Sequence, residues 1–251
     1  MEAYQHIIHT LALTMGASWA SGLNLYAAIA MLGLSGVYGA IQLPPDLLVL
    51  TNPLVIFAAC VMYVVEFVAD KIPGVDTTWD GLHTFIRIPA GALLAAGAVG
   101  TVNPALAIAA GILGGGMATA SHATKAGGRV LINASPEPFT NWMASISEDI
   151  AVFGGLWVAL HHPWIFLGLL VLFLLFAIWL LPRIGRGIKT IFKFIGRLFG
   201  MRPADGVPAD LPPQEADRLD RLKKLKELLD SGVLSEAEFN REKEKILGTE
   251  I

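Results

Sequence analysis

Six apolar runs, with every lysine and arginine on one side of the map they draw, constrain this chain more than any single motif. The runs cover residues 7–38, 53–69, 85–101, 104–123, 142–160 and 164–181, and several approach the roughly 20 residues that cross a bilayer. Of the 18 basic residues, Lys71 and Arg87 flank the second connection and Lys125 and Arg129 lie in the fourth. The rest follow the last run from Arg183 onward. The connections after runs one, three and five carry none. Positive charge marks the cytoplasmic side, so the pattern predicts an all-α, polytopic membrane bundle of about six spans with both termini cytoplasmic. An inner membrane is the expected location. Residues 1–6 lack the basic start of a secretory signal, so no cleavage is expected.

A single cysteine, Cys60, excludes an intrachain disulfide framework and a cysteine zinc site. The net charge of −3 conceals a division. Residues 183–202 carry six basic side chains and no acid, whereas 203–251 carries twelve acids and eight bases. The pattern sets a bundle over 1–182, a basic amphipathic helix lying on anionic lipid headgroups over 183–200, and a Pro/Asp-rich linker over 201–213. A helical hairpin follows over 214–251. That hairpin is too short to bury a stable core alone, so it is expected to self-associate or dock on a protein partner. Nothing points to nucleic acid.

Run one is too long for one straight crossing and is the most polar. Thr14, Ser18, Ser21 and Asn24 share a helical face, which must meet protein or a water-filled cavity, and Gly22 beside Asn24 allows a break. Ser18 and Gly22, and Ala107, Gly111, Gly115 and Thr119 in run four, read equally as small-residue packing ridges. Asn52-Pro53 opens run two as Asn103-Pro104 opens run four, each a good helix start. With Thr78-Trp79 and Asn141-Trp142, these matches suggest two parallel hairpin repeats in which Gly91 corresponds to Gly154.

Two polar connections hold nearly all the chemistry. Run five needs to begin near Trp142 to span the core, which places Ser145, Glu148 and Asp149 within the membrane, and run three needs Arg87. A buried charge requires a partner, so Arg87 is expected to meet Glu148 or Asp149. Three readings stay open. Glu66 and Asp70, and Asp76 and Asp80, are spaced for a divalent cation held by oxygen. Arg87, Lys125 and Arg129, with Gly127-Gly128, could hold an anion. An internal salt-bridge network is the third. No cofactor is called for. His161-His162 reads as an interfacial pair.

These residues resemble a known family. The segments Ser21-Gly22-Leu23-Asn24-Leu25-Tyr26, Ala69-Asp70-Lys71-Ile72-Pro73, Asp76 with Trp79-Asp80, His122 through Lys125, Arg129, Asn133 through Glu137 and Ser147-Glu148-Asp149 are similar to the bacterial membrane family called domain of unknown function 4126. The last hairpin resembles the short C-terminal domain of bacterial membrane proteins. The resemblance implies a multi-pass protein and no agreed activity. The residues themselves suggest a transport-type protein with a cytoplasm-facing cavity lined by Asn24, Asp70, Asp80, Arg87, His122, Lys125, Arg129, Glu148 and Asp149. Its cargo would be an anionic solute, a lipid headgroup or a cation. A scaffold acting through the hairpin is the alternative. A headgroup enzyme with His122 or Asp80 as base has no nucleophile–base spacing to support it.

Overall fold

The computed structural model describes residues 2–100, 103–133, 138–198, 213–231 and 233–248. Within them the chain forms α1 (Glu2–Val37), a 3-10 helix (Pro45–Thr51), α2 (Pro53–Ala69), α3 (Val75–Val99), α4 (Pro104–Asn133), α5 (Pro138–His161), α6 (Pro163–Leu198), α7 (Pro213–Asp230) and α8 (Glu236–Leu247). Five helices are long and apolar enough to cross a membrane, and six if the 3-10 helix and α2, bent by 65°, count as one span. The linker, apart from Pro213, lies outside the described residues.

Local chemistry sets the helix starts. Asn52 and Asn103 each accept a backbone N–H two residues on, from Leu54 and Ala105, and Pro53 and Pro104 fill first-turn positions that need no donor. The paired Asn-Pro starts thus act alike, but the proposed repeat does not extend to packing. A side chain at Gly91 would strike Ala118, whereas Gly154 faces open space. Gly74, at φ +85°, turns the chain into α3, a backbone conformation that glycine adopts without strain.

Most of the expected polar connections are helix. α3 begins at Val75, well before Phe85, and α4 continues to Asn133. Asp76, Asp80, His83 and Arg87 recur at helical spacing, as do Ser121, His122, Lys125 and Arg129. All eight are buried. Each set forms one polar stripe facing protein, while the opposite faces, with Leu82, Phe85 and Leu93 or Ile108, Ile112 and Leu113, are exposed as lipid-facing surface.

α1 does not cross. At 36 residues a straight helix would be about 54 Å long, yet both of its ends border one cavity. His6, His9 and Thr10 line that cavity with Ala40, Ile41 and Pro44. The reversal is at Asn24, which is extended (φ −149°, ψ 97°) inside the helix. Its Oδ1 accepts the Ala27 N–H at 3.0 Å, so Asn24 is the N-cap of the returning half. The break expected beside Gly22 therefore exists, and it makes α1 a re-entrant hairpin. Tyr4 packs on Trp164, with ring centroids 5.6 Å apart, so α1 starts at the end of the bundle that holds the α5–α6 turn. Lys71, Arg129 and Arg183 mark the opposite end. A fold-back adds no crossing, so the start of α1 and these basic side chains lie at opposite ends of the bundle.

α1 is the hub, packing against α2, α3, α4 and α5. Its Ala12, Ala17, Ala20, Ala27, Ala28 and Leu32 are wholly buried. Small residues let α4 approach closely, but on a face one position from the ridge read in the sequence. A Cβ on Gly114 would lie 2.2 Å from Ala95, whereas Gly111 and Gly115 have ordinary clearance and Thr119 is exposed. α6 packs through large side chains instead, with Phe166 and Phe173 edge-on to Trp19. It runs without interruption through Pro182 to Leu198, so residues 183–198 extend α6 and do not start a separate helix. At about 54 Å, α6 exceeds the roughly 30 Å hydrocarbon core, and its basic end lies beyond it.

The second compact unit covers residues 192–251. In it α7 and α8 pair as the expected hairpin. Ser235 and Glu238 form a reciprocal capping box, and Arg218 donates to the last carbonyls of α8, Ile246 O at 2.8 Å and Leu247 O at 3.0 Å. The capping bonds from Ser235 hold the exposed Glu238 carboxyl below its ordinary value.

Two measurements check this arrangement. With Cys60 replaced by serine, a cysteine at Gln5 should react with a membrane-impermeant thiol reagent from the face opposite to one at Gly74. Gly22→Ala places a methyl 2.4 Å from the Ala118 carbonyl oxygen and should cost about 1–3 kcal/mol, read as a lower melting temperature. Gly154→Ala should be neutral or stabilise by up to about 1 kcal/mol.

Candidate functional site

The broken end of α1 meets a network of buried charge supplied by α2, α3, α4 and α5. From Asp149 to His161, α5 rises about 18 Å, so the network lies well inside a core of about 30 Å. Lys125 is at its centre. Its Nζ is 2.7 Å from Asp70 Oδ2, 3.3 Å from Glu66 Oε1, 3.5 Å from Glu148 Oε2 and 3.6 Å from Asp80 Oδ1. It also donates at 3.1 Å to the carbonyl of Leu23, the last residue before the break. That carbonyl belongs to the negative end of a half-helix, where a cation is favoured.

Arg87 lies above Lys125 on α3, wholly buried, with Nη2 2.7 Å from Glu66 and Nη1 2.8 Å from Asp80. The expected pairing of Arg87 with Glu148 or Asp149 is therefore wrong. Arg129 takes Glu148 instead, through Nη2 at 2.7 Å and Nε at 3.2 Å. Arg129 comes four residues after Lys125 on α4, level with Glu148, whereas Arg87 is placed by α3 beside Glu66 on α2. Arg129 also donates to Asp70 O at 2.8 Å and to Asn141 Oδ1. Asp76 is held by Asn133, whose amide spans both carboxylate oxygens at 2.8 and 2.9 Å. Asn24 Nδ2 reaches Asp149 Oδ1 at 3.2 Å.

The partners assign the histidine tautomers. Arginine only donates, so His122 Nδ1, 3.3 Å from Arg87 Nη1, accepts, and Nε2 donates to Thr84 Oγ1 at 2.7 Å. His83 donates from Nδ1 to Trp79 O and accepts at Nε2 from Tyr26. Both nitrogens of each ring are thus engaged, and Asp80 Oδ1 is ion-paired with Arg87.

All nine residues read from the sequence as a cavity lining converge here, but on each other. Asn24, Asp80, Arg87 and Arg129 are at most 1% exposed. Asp149 borders a groove with Tyr63, Phe67 and Phe153 between α2 and α5. Glu66 and Asp76, set apart as metal candidates, belong to the same network. Among the described residues no group of three or more His, Cys, Asp or Glu is arranged to hold a metal ion. Asn133, Asn141, Tyr26 and His83 were not among the expected lining residues. Asn133 and His83 have helical spacing to Arg129 and Arg87, whereas Tyr26 and Asn141 stood out only in the family-like segment and the repeat, neither of which gives a pairing.

The charges do not balance. Five carboxylates, Glu66, Asp70, Asp76, Asp80 and Glu148, surround three bases, Arg87, Lys125 and Arg129. Glu66 Oε2, Asp70 Oδ1, Asp80 Oδ2 and Asp149 Oδ2 are buried without a hydrogen-bond partner among the described residues, against two such donors in the network, Arg87 Nε and Asn141 Nδ2. Acceptors outnumber donors in a medium where an unmet acceptor is costly.

A family model described as a domain of unknown function (DUF4126) matches residues 11–183. The chain belongs to this family. The match spans the re-entrant α1 and every helix that feeds the ion network, so network and family domain coincide. A second model, the short C-terminal domain (SHOCT), matches residues 220–247, most of α7 and α8. No curated protein and no solved structure matches the chain. This DUF4126 chain is accordingly a multi-pass membrane protein of all-α architecture.

Removing one partner of a buried pair costs about 3–5 kcal/mol, because the other charge is left in low dielectric. Arg129→Met should lower the melting temperature sharply in detergent. Arg129→Met with Glu148→Gln should recover part of that loss. Additive losses in the double variant would show that the two side chains are not coupled.

Proposed function

We propose that this protein is transport-type and handles a small cation through its acid-rich centre. The observation that carries the reading is the surplus of carboxylates over bases, at membrane depth, against a helix broken at Asn24. Intramembrane ionisable groups mark ion pathways by default. Discontinuous helices offer carbonyl ends to cations in many transporter folds. An anionic solute or lipid headgroup fits less well, since Arg87, Lys125 and Arg129 already face carboxylates. Positive charge would make the end with Lys71 and Arg129 cytoplasmic, in a bacterial inner membrane, with the start of α1 on the other face. The basic side chains from Arg183 onward would then lie against anionic headgroups.

A second reading, a membrane scaffold, draws on the hairpin, where Leu219, Leu228, Val233 and Leu247 are exposed on α7, α8 and their connection. Vesicle reconstitution separates the two. Under a potassium or ammonium gradient, an entrapped pH or potential dye should respond with wild type. It should respond at least tenfold less with Asp70→Asn, and normally after deletion of residues 203–251. A silent wild type across alkali, ammonium and divalent cations would overturn the transport reading. Loss of cellular function on deleting the hairpin alone would favour the scaffold.

A further inference from the structure

Lys125 is surrounded by more oxygen than its ammonium can use. An ammonium has three N–H donors, and they go to Leu23 O, Glu66 Oε1 and Asp70 Oδ2. Glu148 Oε2 at 3.5 Å and Asp80 Oδ1 at 3.6 Å complete a shell of five oxygens around one positive charge. With the ammonium in place no three of these acids are arranged to hold a metal ion, but a spherical cation that took the ammonium's position would have no donor limit and would draw on all five. The shell also has spare capacity, since the second oxygens of Glu66, Asp70 and Asp80 are buried and unpartnered. One ligand is the terminal carbonyl of a half-helix, so the site depends on the break at Asn24 and not on the acids alone.

Resting on the cation-handling reading, we propose that the Lys125 ammonium occupies a monovalent-cation site and yields it to the transported ion. Size favours an ammonium- or potassium-like ion. The oxygens lie 2.7–3.6 Å from Nζ, whereas Mg²⁺ requires about 2.0–2.1 Å and Ca²⁺ about 2.3–2.6 Å. Lysine suits exchange better than arginine would, being a compact charge on a flexible four-carbon stem. The stem can withdraw without disturbing Arg87 and Arg129, whose own bonds hold Glu66, Asp80 and Glu148 in place. Entry is past Glu148, whose side chain is 17% exposed while the other three carboxylates of the shell are at most 4% exposed. When the ion arrives and the lysine leaves, the charge inside the shell is unchanged, so exchange avoids the cost of an empty, uncompensated cage.

The test uses the full chain in detergent. Lys125→Met should melt below wild type in choline chloride, and ammonium or potassium chloride at equal ionic strength should raise its melting temperature saturably. In wild type, potassium but not choline should increase acylation of Lys125 by a small amine-reactive reagent, read by peptide mass spectrometry against exposed Lys189. Rescue that is equal in all salts, or flat labelling of Lys125, overturns the proposal. If Lys125→Met does not fold in any salt, the labelling result alone decides. If rescue and labelling both appear while vesicles stay silent, the site stands and the transport reading fails. If vesicles carry cations but labelling is flat, the reverse holds.

Discussion

A half-helix that ends inside the hydrocarbon core leaves its last carbonyls without intrahelical partners, and lipid offers no donor to replace them. Lys125 meets that need at Leu23 O. A lone ammonium at this depth would itself be costly, so it draws carboxylates from α2, α3 and α5 around it. Those carboxylates in turn require Arg87 and Arg129. The break at Asn24 and the ion network are therefore one structure. α1 to α5 are arranged so that each contributes to it, and among the described residues α6 does not.

Close packing makes the arrangement reachable. Lysine can touch a main-chain carbonyl on α1 only if α4 comes near it, and the approach is made at Gly22 against Ala118 and Ser121 and at Gly114 against Ser18. Ser18 and Ser21 donate across to Gly91 O and Arg87 O on α3, so the polar stripe read on run one does both things considered for it. Its upper part packs helices. Its lower end, at Asn24, belongs to the site.

Part of this was legible in the sequence. Membrane class, helical composition and the C-terminal hairpin followed from hydropathy, length and charge, whereas the nine residues read as a cavity lining meet one another in a buried network instead. The exact pairings did not follow. Which acid Arg87 meets depends on the rotation and height of α2, which one-dimensional spacing does not carry. The extent of α3 and α4 was missed because polar residues were read as loop, although 76, 80, 83 and 87 already mark one helical face. The fold-back of α1 was missed for a different reason. Length showed that run one was too long, and Gly22 and Asn24 showed where it could break, but only the packing of Ala40 and Ile41 beside His6 and His9 shows that the chain reverses.

Stability alone does not explain a network of this kind. Replacing a buried ion cluster by well-packed apolar side chains is often neutral or stabilising, since the attraction between charges only roughly repays their desolvation. In a bundle whose outer faces are apolar, leucine and alanine would fill the same volume with less risk. What an apolar core cannot supply is a shell of oxygens that tolerates a positive charge at mid-membrane while one of its own residues already provides that charge. The surplus acid has the same implication. A purely structural network gains nothing from two more carboxyl groups than bases, whereas a site that exchanges one cation for another can use the additional oxygens as ligands. The imbalance therefore supports the cation exchange proposed for this centre, which a network built only to hold five helices together would not need.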